Sequence, residues 1–189
     1  MSVLATKQKQ LDKITEEIQN CAICKKDKIG VAVPGEGNPD TDVVFIGEAP
    51  GKEEAKTGRP FIGRAGKVLR SLIADVGLKD EEVFITSPVK YLPTYVTPTL
   101  EDIEHARIHL NKQLEVIDPK VIVLLGNTAV IALLNKKVVM SKEHGTFIEK
   151  DGRVYMIAFH PAAPLYNPKV KELIEEDFKK LKKFLGRSK

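Results

Sequence analysis

The chain lacks most of the features that decide a protein class outright. Apolar runs such as Val121–Leu125 are far too short for the roughly 20 residues that cross a bilayer. No apolar segment follows a basic start, so no secretory leader is expected. Cysteine is scarce: Cys21 and Cys24 are the only two in 189 residues. A disulfide framework is therefore excluded, and the reducing cytoplasm is the expected location. Internal repeats are absent. So are the Gly-x-Gly-x-x-Gly fingerprint of dinucleotide-binding folds and the Gly-Lys-Ser/Thr ending of a phosphate-cradling loop.

What remains is an ordinary globular composition, 42% hydrophobic and 30% charged. The length suits one domain with a substantial core, expected to span residues 1–189. A formal charge of +4 permits a polyanionic partner without demanding one.

Apolar patterning gives an alternating series. Leu4, Leu11, Ile14 and Ile18 have loose helical spacing, and a turn-rich segment from Gly30 to Pro39 follows. Val43–Ile46 is a continuous apolar run stopping at Gly47, the pattern of a strand buried on both faces. Val83–Thr86, Val121–Leu125 and Val154–Phe159 read as further strands. Helices are expected over Val68–Val76, from Thr99 as cap through Leu100 to about Ile117, over Asn127–Leu134, and over Val170–Leu185. Strands alternating with helices predict an α/β fold, a three-layer α/β/α sandwich around a mainly parallel four-stranded sheet. In such sheets ligands bind beyond the carboxyl ends of the strands. Four segments fall there: Gly47–Gly51, Thr86–Tyr91, Gly126–Thr128 and His160–Ala163.

Each segment has a bland reading and a chemical one. Gly47-Glu48-Ala49-Pro50-Gly51 is either a plain strand-to-helix turn or a close approach for a ligand with Glu48 beside it. Phe61, flanked by Arg59, Gly63, Arg64 and Gly66, is either core or a flat ring offered to a base with cations near phosphates. His160 is either structural or a donor to a developing anion. The loop after it carries Leu165 and Tyr166, an apolar tip that could pack inward or wedge into a base stack. Cys21-x-x-Cys24 is half of a four-ligand metal site. His105, His109 and His144 are candidate further ligands with no telling spacing, and no metal site is expected. The lysines near the end are expected on the solvated face of the last helix.

Taken together, these segments resemble one family. Gly47–Gly51, Glu53-Glu54 and Thr57–Gly66 are similar to the first motif region of the iron–sulfur, thermophile-type uracil-DNA glycosylases (family 4). Gly35–Pro39, Pro119–Gly126 and His160-Pro161-Ala162 match in order and spacing, so the resemblance runs from Cys21 onward. It implies a superfamily α/β/α fold and hydrolysis of the N-glycosidic bond of uracil flipped out of DNA, leaving an abasic site without a lyase step. It implies Glu48 and His160 as catalytic residues, with Gly47, Ala49, Pro50, Gly51, Phe61 and Ser87 around the base. Arg59, Arg64, Leu165 and Tyr166 would meet the DNA. The alternative within the superfamily is a non-catalytic or uracil-trapping DNA-binding module.

Two positions depart from that family. It holds a 4Fe-4S cluster with four cysteines; Cys21 and Cys24 match the first two, but the third and fourth positions are Tyr91 and Ala106. No cofactor is therefore expected, with Tyr91 filling the space by packing. The family's usual base-reading Asn is here Ser87, whose hydroxyl discriminates less. The expected partner is DNA bearing uracil or another deaminated base, met by a monomer away from any membrane.

Overall fold

A run as apolar as Val43–Ile46 is stable only between two covering layers, and the fold supplies both. The structure, a computed structural model, describes residues 2–95 and 97–186. Helix α1 (Val3–Asn20) and the one-turn α2 (Ala22–Lys25) lead into strands β1 (Lys28–Ile29), β2 (Glu36–Gly37) and β3 (Val43–Ile46). Helices α3 (Lys52–Thr57) and α4 (Arg64–Asp75) precede β4 (Phe84–Thr86) and β5 (Leu92–Pro93). Next come α5 (Leu100–Ile117), β6 (Val121–Leu125), α6 (Asn127–Leu134) and α7 (Met140–Glu143). Strands β7 (Phe147–Lys150) and β8 (Arg153–Ala158) and helices α8 (Ala163–Tyr166) and α9 (Val170–Phe184) complete the described chain.

The main sheet has the order β2-β4-β3-β6-β8-β7. Its inner four strands are mutually parallel and are those legible in the apolar pattern. Six strands rather than four is a correction. The added edges, β2 and β7, pair antiparallel with β4 and β8. Strand β2 has only two residues, too few to show a period, and β7 alternates exposed and half-buried positions, leaving no apolar run. Outside the sheet, β1 and β5 form a small antiparallel pair.

Successive residues of a strand point to opposite faces, which divides the core in two. Val44, Ile46, Ile122, Leu124 and Ile157 pack with α1, α5 and α6. Val43, Phe45, Val123, Leu125 and Met156 face α4 and α9, where Phe45 stacks on Phe178 with ring centroids 5.7 Å apart. Thr99 caps α5 as expected: its hydroxyl accepts from the Asp102 N–H, and the Asp102 carboxylate accepts from the Thr99 N–H. Helix α4 begins at Arg64, before Val68, because its polar first turn hides from apolar spacing. The segment after Pro161 is one helical turn rather than an open loop. Among the described residues no helix is long and apolar enough to cross a membrane.

Candidate active site

Parallel register brings the strand ends together. Ile46 lies beside Thr86 and Leu124, and Leu125 beside Ala158. Gly47, Ser87, Gly126 and His160 consequently leave the sheet along one edge. A cavity of about 500 Å³ opens there, lined by Ala49, Pro50, Gly51, Phe61, Ser87 and His160 among others. That volume suits a small flat ligand and the groups around it.

Phe61 is held in an unusual pose. Its φ of 51° is left-handed, uncommon for a residue with a bulky side chain. Two glycines make room for it: a Cβ at Gly47 would stand 2.4 Å from the ring's Cζ, and one at Gly66 would stand 1.9 Å from the Phe61 carbonyl oxygen. Glu54 fixes the turn that follows, its Oε1 accepting from the backbone N–H groups of Ile62 (2.9 Å) and Gly63 (2.8 Å). This carboxylate is buried, and two charge-assisted bonds offset its desolvation. The Phe61 ring faces His160, centroids 5.9 Å apart.

His160 is prepared as a neutral donor. Burial pushes its imidazole down to about 4, so the ring is uncharged near neutrality. Its Nδ1 accepts from the Ala162 N–H at 3.2 Å, which leaves the ring proton on Nε2. Ser87 is buried, and its hydroxyl donates to the Val89 carbonyl at 2.8 Å, leaving the oxygen able only to accept from the cavity. Glu48 is half-buried and does not line the cavity; its Oε2 accepts from the Thr128 hydroxyl at 2.9 Å, which fixes its direction.

Lys90, wholly buried, braces the base of this edge. Its Nζ donates to the Pro34 carbonyl (3.1 Å), Thr86 Oγ1 (2.7 Å) and Gln113 Oε1 (2.7 Å). Burial pushes its amine down to about 7. Glu54, Thr128 and Lys90 received no role from the sequence, because their partners lie on other elements.

The outer residues divide. Arg64, exposed, and Tyr166, 87% exposed, line the cavity rim. Leu165 is exposed on the turn α8. Arg59 does not line the cavity: its exposed guanidinium makes a two-pronged pair with Glu36 (2.8 and 2.7 Å).

On the far side of Lys90, α2 meets α5. Cys21, Cys24, His105 and His109 converge there, each presenting a ligand-type atom within 4.8 Å of the others. His144 is not among them; its Nδ1 lies 2.8 Å from the buried Asp177 carboxylate. The sequence analysis attached no meaning to the His105-x-x-x-His109 interval, yet it is the signal that could have found them, since it puts both rings on one face of α5. A four-cysteine cluster does not fit these residues: the chain has two cysteines. Tyr91 and Ala106 instead pack in the apolar core with Cys24, and the Tyr91 hydroxyl donates to the Ile18 carbonyl at 3.4 Å.

Comparison with known proteins agrees with this architecture. The uracil DNA glycosylase superfamily profile matches residues 34–184. The type-4 uracil-DNA glycosylase of Archaeoglobus fulgidus is 39% identical over 190 residues, covering 94% of this chain and 94% of its own. That of Thermotoga maritima is 38% identical over 187 residues, covering 95% and 97%. The Sulfurisphaera tokodaii enzyme of the same type is 38% identical over 186 residues, covering 91% and 83%. With the profile match spanning the sheet edge, the Phe61 turn and His160, the chain belongs to the uracil DNA glycosylase superfamily.

Proposed function

We propose that this chain is a DNA base-excision repair glycosylase that hydrolyses the N-glycosidic bond of uracil flipped out of DNA. The observation that carries this reading is the cavity in which Phe61 faces His160, whose Nδ1 accepts from the Ala162 N–H and so directs the ring proton to Nε2. A base must leave the stack to reach such a cavity. Phe61 then stacks on its face. As the bond between C1′ and N1 breaks, the electron pair goes to N1 and negative charge spreads to O2. His160 Nε2–H donates to that oxygen, a fixed donor requiring no proton transfer. Positive charge develops on the sugar, on the side assigned to Glu48. Water adds its oxygen to C1′ and yields its proton to solvent, while the released uracil anion takes up a proton from solvent, leaving an abasic site.

Ser87 accepts from the base N3–H and donates nothing outward, which admits other deaminated bases beside uracil. Arg64 contacts the backbone, and Leu165 and Tyr166 enter the space the base leaves. Arg59, exposed in its pair with Glu36, is a further candidate contact to the backbone. The reaction is proposed as monofunctional: Lys90 Nζ is engaged by Pro34, Thr86 and Gln113 and does not line the cavity. A single-domain monomer working in the cytoplasm fits this role.

Uracil-containing single- and double-stranded DNA provides the test. Strand breaks that appear only after alkali are the expected result, and His160→Leu should lower the rate about 100- to 1,000-fold. A band shift without breaks would mean a binding module, and breaks without alkali would mean a lyase step.

A further inference from the structure

The cluster between α2 and α5 has no part in base excision as derived above, yet it has the composition and shape of a metal site. Cys21 and Cys24 project from one short turn, while His105 and His109 are one turn apart on α5. Cys21 Sγ and His105 Nε2 are 3.1 Å apart, and the two imidazoles meet edge to face with centroids 5.9 Å apart. His109 is only 7% exposed, and its Nδ1 has no hydrogen-bond partner among the described residues. The nearby Glu17 carboxylate, at 3.9 Å, is too far to supply one.

We propose that Cys21, Cys24, His105 and His109 bind one zinc ion in a closed tetrahedral site. Zinc–sulfur bonds of about 2.3 Å and zinc–nitrogen bonds of about 2.0–2.1 Å set ligand atoms roughly 3.3–3.8 Å apart in a tetrahedron. Ligand atoms that all lie within 4.8 Å of one another need only small side-chain adjustments to reach that spacing. A four-iron cube between the same atoms would have to spread them further. Charge agrees as well. Two thiolates and two neutral imidazoles around a dication sum to zero, the balance that a half-buried site requires. The site also matches the Cys-x-x-Cys and His-x-x-x-His spacings of structural zinc centres.

The consequence is a cross-link rather than chemistry, since four protein ligands leave no open position. The ion would tie residues 21–24 to α5, elements some 80 positions apart in sequence. Cys24 packs in the same cluster as Val89 and Tyr91, so the clip would also steady the loop that begins at Ser87.

The test uses the full chain, reduced and stripped of metal with a chelator. Titration with Co²⁺ should give the visible bands of a tetrahedral, thiolate-ligated ion, saturating at one per chain. One equivalent of Zn²⁺ should abolish them and raise the melting temperature. Losing a partner that merely orients a metal ligand costs about 10–100-fold in affinity, so losing a ligand should cost at least about 100-fold. Cys21→Ser and His105→Ala, both at partly exposed positions, should show that loss while circular dichroism reports the fold. Wild-type protein without tetrahedral bands would overturn the proposal and needs no variant to read. Unchanged affinity in His105→Ala, or about four irons per chain in an anaerobic preparation, would overturn it equally.

Discussion

Gly47→Ala isolates what the pose of Phe61 contributes. Gly47 follows β3 without a left-handed φ, so alanine adds no backbone strain there. The new methyl would stand 2.4 Å from Cζ and 2.7 Å from Cε2 of the Phe61 ring, well inside van der Waals contact. The ring must swing away, because its backbone cannot: Gly66 and the Glu54 carboxylate hold that turn. Overpacking of this kind costs about 1–3 kcal/mol of stability. The catalytic loss should follow from the stacking that is forfeited, about 1–3 kcal/mol per base, or about 5- to 150-fold in kcat/KM. Single-turnover release of uracil from a labelled oligonucleotide reads it directly. If the methyl acts through the ring alone, Phe61→Ala should cost at least as much, and the double variant should be no worse than Phe61→Ala. Full activity in Gly47→Ala, or additive losses in the double variant, would refute the stacking role.

Other consequences follow from the same geometry. In free protein, the ring protons of His160 should titrate near pH 4 by NMR, and a midpoint near 6.5 would show that burial does not control this group. The depressed value also fixes a sign: the unfolded chain takes up this proton first, so stability falls as pH drops from 6.5 to about 4 and this contribution is level below that. Denaturant midpoints of wild type and His160→Leu, compared across that window, isolate it; parallel curves would contradict it. Glu54→Ala strands the Ile62 and Gly63 N–H groups and should cost about 2–5 kcal/mol in urea unfolding, with activity falling too. A change below about 0.5 kcal/mol would mean that the turn holds itself. Ser87→Asn restores a group that both donates and accepts, and should raise kcat/KM on uracil by about 5- to 150-fold despite losing the bond to Val89. No change would sink the link between Ser87 and specificity.

Local physics made much of this molecule readable from its residues. The inner strands β3, β4 and β6 are buried throughout and β8 over Tyr155–Ala158, so their apolar runs stand out without any partner being known. Thr99 and Asp102 announce α5 because capping is settled within one turn. The candidates Gly47, Phe61, Ser87 and His160 were legible because they follow strand ends or sit among glycines. Tertiary structure decided the rest, wherever the partner is distant in sequence. The edge strands β2 and β7 exist through pairing, not through a pattern of their own. The pairing of Arg59 with Glu36, 23 residues away, could not be read from the sequence. Glu54, Thr128 and Lys90 acquire roles only from the groups that accept or donate to them. The clearest case is Cys21 and Cys24, half of a site by sequence, to which the packing of α2 on α5 brings His105 and His109. Sequence fixes which groups a chain carries along each element, whereas chemistry between elements depends on distances that only packing sets.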